Sequence, residues 1–183
     1  MSATISEGWI ADVVGGKQAD GGIPCHASNL KQSGSRMISY VVMHYTGNAK
    51  DTARGNANYF HGANRKASAH FFVDDSDIFQ SVQLHDVAWH CGAQTYKHAA
   101  CRNANSIGIE MCTSGNYCIS PQTRERAAEL CACICRKLGI SREQVDTYVL
   151  RHYDVTGKKC PAQMVENPAE WAAFKEQVKQ FLG

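Results

Sequence analysis

Ile38-Ser39-Tyr40-Val41-Val42-Met43-His44-Tyr45 is the stretch on which the fold turns. Its β-branched and aromatic residues favour an extended chain, and its nearly unbroken apolar character predicts a central strand covered on both faces and ending at His44. Downstream, Asp51 or Thr52 can cap a helix running to about His61, with Gly62 as its stop. Two strands are expected near Ala69–Val73 and Ile78–Val82, joined by the acidic turn Asp74-Asp75-Ser76-Asp77, and another at Ser106–Cys112. Ser120 then caps a helix with Pro121 at its first position; Ala127, Leu130, Cys131, Ile134 and Leu138 form its buried stripe, and Gly139 ends it. Thr147–Arg151 reads as a short strand running into His152. Asn167-Pro168 opens a last helix through Leu182, with Trp171, Phe174, Val178 and Phe181 inward. The succession gives an α/β fold: a single domain with a mixed central β-sheet flanked by helices, without internal repeats. Upstream, residues 1–35 are rich in Gly, Ser, Asn and Lys, with Gly15-Gly16 and Gly21-Gly22 as breakers, and read as an irregular lead-in packed on a domain of residues 36–183.

The composition fits that picture. At 183 residues, 44% apolar and 20% charged, the chain suits one compact soluble unit and excludes a disordered or fibrous one. A net charge of +2 attracts an anionic polymer mildly but supplies no basic stripe for nucleic acid. No window approaches the roughly 20 apolar residues of a membrane span, so no membrane partner is expected. Met1–Glu7 lacks the basic and apolar segments of a secretory signal, which predicts synthesis in the cytoplasm. Nine irregularly spaced cysteines then read as reduced thiols. On the predicted helix Cys131 and Cys135 share a face while Cys133 points elsewhere, so these three read as packed thiols rather than a second metal site.

Metal-binding residue types are scattered, and the informative ones end predicted strands. His44 ends the first, His152 ends the strand at Thr147–Arg151, and Cys160 follows in the loop Asp154–Cys160. Two imidazoles and a thiolate make three protein ligands and leave a fourth tetrahedral position open, as a catalytic zinc requires. Spacing alone is a weak signal, since His152 and Cys160 match no compact metal motif, each histidine alone reads sooner as a satisfied polar residue than as a ligand, and Cys160 alone reads equally as a plain buried thiol.

Five segments in order resemble the type-2 family of N-acetylmuramoyl-L-alanine amidases: Val41–Asn48, Ala67–Asp75, Val87–Gly92, Asn105–Glu110 and Arg151–Pro161. That family embraces phage endolysins, bacterial autolysins, cytosolic muropeptide-recycling enzymes and animal peptidoglycan recognition proteins, and the resemblance is nearest the phage and autolysin branch. It implies that His44, His152 and Cys160 bind Zn2+, that the substrate is peptidoglycan, and that the bond cut joins the lactyl group of N-acetylmuramic acid to L-alanine. An endolysin or autolysin without a signal peptide would reach the wall through a holin-type pore or after lysis. The recycling branch carries an aspartate where Cys160 stands.

The resemblance also implies catalytic roles. Glu110, at the end of its strand, takes the acid–base position, with a strand-end ion pair as its plain alternative. Lys158, two residues before Cys160, stands where an oxyanion would develop; Lys159 beside it reads as a solvated charge. Many relatives carry a tyrosine where this chain has Ala69, which puts more weight on Glu110. His70, Trp89 and His90 are the candidate substrate-binding residues; His70 reads also as a residue that orients a zinc ligand or that simply hydrogen-bonds within the fold, and Trp89 also as ordinary core. A non-catalytic peptidoglycan-binding module, a structural metal scaffold and a recycling amidase are the rival functions.

Overall fold

The computed structural model describes residues 3–5, 9 and 22–183. Its strands are β1 (Ala3–Ile5), β2 (Leu30–Lys31), β3 (Arg36–Ile38), β4 (Tyr40–Tyr45), β5 (Phe71–Val73), β6 (Ile78–Gln80), β7 (Val87–Ala88), β8 (Ser106–Met111) and β9 (Val149–Arg151). Its α-helices are α1 (Ala53–His61), α2 (Pro121–Leu138), α3 (Val145–Tyr148), α4 (His152–Thr156), α5 (Ala162–Glu166) and α6 (Pro168–Leu182). Five strands form the central sheet in the order β6-β5-β8-β4-β9; β4 runs parallel to β8 and β9, β5 runs parallel to β8, and β6 closes antiparallel on β5. The sheet is mixed, as expected, with β4 inside it.

The two-residue period of a strand divides this sheet cleanly. Val41 and Met43 of β4 and Ile107, Ile109 and Met111 of β8 are fully buried in the main core with α2 and α6. Their alternates, Val42 and His44 on β4 and Ser106, Gly108 and Glu110 on β8, occupy the opposite face. Leu130 and Ile134 of α2 and Phe174 and Val178 of α6 cover the core face. Burial of about 1.5–3 kcal/mol for each large apolar side chain binds these helices to the sheet.

Local chemistry sets the helix ends. The Ser120 hydroxyl accepts from the Thr123 amide at 3.0 Å, Pro121 occupies the first turn, and Gly139 takes the left-handed conformation at φ 68° that stops α2. Asn167 and Pro168 open α6 in the same way. Thr52 caps α1 through the Gly55 amide, while Asp51, the other candidate, accepts from the Thr113 amide instead.

Several expected boundaries move. The segment Ile38–Tyr45 breaks at Ser39, whose amide donates to Asn105 O, so β3 pairs antiparallel with β1 and β4 joins the central sheet. The strand from Ala69 starts at Phe71, and the His70 amide before it donates to Gly108 O on β8, the strand β5 pairs with. Thr147 and Tyr148 lie in α3, continuing a helical turn that Ser141 and Gln144 cap. Two short helices, α4 and α5, stand between His152 and α6.

Within the expected lead-in, Gly15, Gly16 and Gly21 lie outside the described residues. Of the remainder, β2 pairs with β7, and the buried Asn29 side chain donates to Phe60 O and Gly62 O and accepts from the Arg65 and Lys66 amides. Among the described residues no helix is long and apolar enough to cross a membrane.

Candidate metal centre

His44 is the fifth residue of β4, directly opposite Glu110 in the parallel register with β8. His152 directly follows β9, which pairs with β4 on its other side. Gly157, at φ 85°, turns the chain back after α4, and the Tyr153 amide donating to Cys160 O at 3.0 Å closes the loop. The Cys160 sulfur thereby reaches the end of β4 and accepts from the Tyr45 amide at 3.4 Å. Side chains 108 and 116 positions apart in sequence meet because neighbouring strand ends bring them together.

His44 Nδ1 lies 3.1 Å from His152 Nδ1 and 4.0 Å from Cys160 Sγ, and the ligand atoms of all three are within 4.8 Å of one another. Tetrahedral zinc, with bonds of about 2.0–2.1 Å to nitrogen and 2.3 Å to sulfur, spaces such atoms about 3.3–3.6 Å apart. The donor set therefore fits a metal ion after small adjustments. All three residues are buried. Burial and the Lys158 charge lower His152 to about 4, burial and the neighbouring imidazoles hold His44 well below its ordinary value, and burial pushes the Cys160 thiol up to about 12. Both imidazoles are thus neutral and ready to ligate, and a metal ion must displace the thiol proton. Among the described residues this is the one His, Cys and carboxylate group with metal-binding geometry.

Glu110 Oε1 lies 3.9 Å from His44 Nδ1, and its Oε2 is buried without a hydrogen-bond partner. Burial raises this carboxyl to about 8, opposed by the positive charge of Lys158 and reinforced by Asp51. Lys158 is exposed, yet it lines the same cavity of about 160 Å³ as Glu110 and the three putting donors forward. Lys159 points away and pairs with Glu166.

The sequence profile of the family described as N-acetylmuramoyl-L-alanine amidase matches residues 34–163. The chain belongs to this amidase family. The amidase CwlL of Bacillus licheniformis is 36% identical over 157 residues, which is 80% of this chain and 42% of that protein. The chain thus spans less than half the length of that curated relative. Among solved structures, the catalytic domain of XlyA, an amidase of Bacillus subtilis, superposes with a TM-score of 0.68 at 27% identity, covering 85% of this chain and 95% of that one. A mutant endolysin from Bacillus subtilis gives 0.64 at 25% identity, covering 87% and 94%.

Within this amidase fold two larger cavities share lining residues with the metal cavity. On the Glu110 side, a cavity of about 580 Å³ is lined by Thr46, Asn48, Asp51, Asn56, Tyr59 and Phe60. On the His152 side, one of about 640 Å³ is lined by Trp89, Gln94, Asn103, His152, Thr156 and Lys158. Half-buried Trp89 borders both this cavity and the metal cavity.

His70 takes a hydrogen-bonded place within the fold, one of its two other readings from the sequence. It is fully buried and accepts from the Gly108 amide on Nδ1 at 3.0 Å, while its Nε2 lies 2.7 Å from Arg36 Nη2 and 3.2 Å from Asp86 O. Both ring nitrogens are thus engaged within the fold, tying β8 to the segment before β7. His90 lines both the cavity on the His152 side and the metal cavity, and its Nδ1 lies 3.0 Å from His44 Nε2. Ser106, which holds the other ring nitrogen of His90 at 3.1 Å, was not among the expected residues. The two-residue alternation Ser106, Gly108, Glu110 was the sequence signal that could have found it.

Proposed function

We propose that this chain is a zinc-dependent hydrolase of the amide bond between N-acetylmuramic acid and L-alanine in peptidoglycan, acting as the catalytic part of an endolysin or autolysin. The convergence of His44, His152 and Cys160 on a point open toward Glu110 and Lys158 carries the reading. Family membership supports the bond, the endolysin neighbour supports the setting, and three ligands instead of four favour catalysis over a structural scaffold. Residues 36–183 are the catalytic unit of this proposal.

When bound, zinc supplies polarisation of the amide carbonyl and an acidified water with a pKa of about 7. Glu110 takes the proton of the attacking water and passes it to the leaving nitrogen. A carboxyl raised toward neutrality suits both halves of that transfer, because the best acid–base group has a pKa near the working pH. The Lys158 ammonium faces the negative charge that develops on the carbonyl oxygen. Trp89 offers an aromatic face to the glycan or peptide in the flanking cavity.

The test uses purified cell walls with and without a chelator. The expected result is release of L-alanine amino termini, no new reducing sugars, and loss of release on chelation with recovery on added zinc. New reducing ends in place of amino termini would reassign the protein as a glycosidase.

A further inference from the structure

His90 sits between two groups whose hydrogen-bonding capacities are fixed. The Ser106 hydroxyl lies 2.7 Å from Arg102 O, and a carbonyl only accepts, so the single Ser106 proton points there. Ser106 Oγ therefore presents a lone pair to His90 Nε2 at 3.1 Å, and that nitrogen must carry the proton. A neutral imidazole protonated on Nε2 accepts on Nδ1, and His90 Nδ1 lies 3.0 Å from His44 Nε2. His44 must then donate from Nε2, which leaves its Nδ1 lone pair facing His152 and Cys160.

Two independent features hold the His90 ring in this place. Asn103 Oδ1 accepts from the backbone amides of both His90 and Cys91, at 3.1 and 2.7 Å. Beneath the ring, Gly108 leaves the space it occupies: a Cβ at that position would lie 2.6 Å from His90 Cγ.

We propose that His90, oriented by Ser106, is a positioning residue that fixes the tautomer and ring orientation of His44 so that His44 Nδ1 is presented to the metal. This rests on the metal-centre reading above and extends it to the neighbours of one ligand. Partners of ligating histidines commonly change metal affinity about 10–100-fold when removed.

Zinc affinity of the full chain, measured by competition with a chromophoric chelator, tests the proposal. His90→Leu removes the acceptor opposite His44, His90→Gln carries its amide oxygen past the Nδ1 position toward Ser106, and both weaken zinc about 10–100-fold. His90→Asn places its Oδ1 where Nδ1 was, keeps the acceptor, and stays within about tenfold of wild type. His90→Gln carries the comparison should the leucine variant fail to fold, as judged by near-ultraviolet circular dichroism. Nitrogen-resolved NMR of the histidine rings in the metal-free chain shows His44 and His90 both protonated on Nε2. Equal affinity of the folded Leu, Gln and wild-type proteins, or a His90 proton on Nδ1, overturns the positioning role while leaving the metal centre standing. Failure of wild type itself to bind zinc removes the metal centre and this proposal together.

Discussion

A single methyl group added at Gly108 tests how tightly the site is built into the sheet. In Gly108→Ala the new Cβ would stand 2.6, 2.8 and 2.9 Å from His90 Cγ, Nδ1 and Cδ2. Carbon atoms settle at about 3.5–4.0 Å, so the ring must retreat by about 1 Å. Overpacking of this kind costs about 1–3 kcal/mol, and the stiffer alanine backbone returns about 0.5–1 kcal/mol. The retreat also stretches the 3.0 and 3.1 Å contacts to His44 and Ser106, worth about 0.5–1.5 kcal/mol each. A net loss of about 1–3 kcal/mol lowers Tm by about 2–10 °C for a chain of this size. Urea unfolding in the presence of a chelator measures the loss without a contribution from metal. Repeating it in a His90→Ala background closes a double-mutant cycle: with the ring gone, Gly108→Ala becomes neutral or stabilising, and a coupling of about 1–3 kcal/mol remains. An equal cost in both backgrounds would refute the account, since the obstruction would then lie in the strand itself.

Glu110→Gln keeps the shape of the carboxyl and removes its basicity; turnover on cell walls falls about 10²–10⁴-fold while zinc content, read by elemental analysis, stays at wild type. Lys158→Ala lowers kcat about 10²–10³-fold with zinc affinity retained, and an unchanged kcat would take the lysine out of the reaction. Zinc at about 100 times its Kd stabilises the chain by about 2.7 kcal/mol, seen as a rise of about 5–10 °C in Tm over the chelated protein. In the metal-free chain, His152 at about 4 and His44 well below 6.5 stay neutral where the unfolded chain takes up protons, so their contribution is lost as pH falls below about 6.5. Glu110 has the opposite sign: raised from 4.5 to about 8, it contributes below 4.5 and loses that contribution as pH rises to 8. Denaturation of metal-free Glu110→Gln between pH 6.5 and 8 lacks that decline.

Much of this fold was legible in the chain because the deciding signals were local. Ser120-Pro121 and Gly139 bound α2 by hydrogen-bond and φ preferences that act within one turn, and the unbroken apolar run around Val41–Met43 marked an inner strand. Boundaries moved where a distant partner decided them. Ser39 breaks its strand because Asn105 O receives its amide, a partner that cannot be read from neighbouring residues. For the site, the resemblance supplied His44, His152 and Cys160, and the loop that returns Cys160 to β4 supplies the physical reason they meet. The place of His90 was not legible, since it depends on the absence of a side chain at Gly108 and on the direction of one hydroxyl proton at Ser106.

Because β4 and β8 each send alternate residues into the core and the metal centre, the two are locked in phase. Deleting one residue from β8 would exchange their duties, turning Ile109 toward the metal and Glu110 into oil. Insertions that retune what this scaffold grips therefore belong in the segments bordering the cavities, such as residues 62–68 and 92–100, where length can change without shifting the beat of the strands beneath.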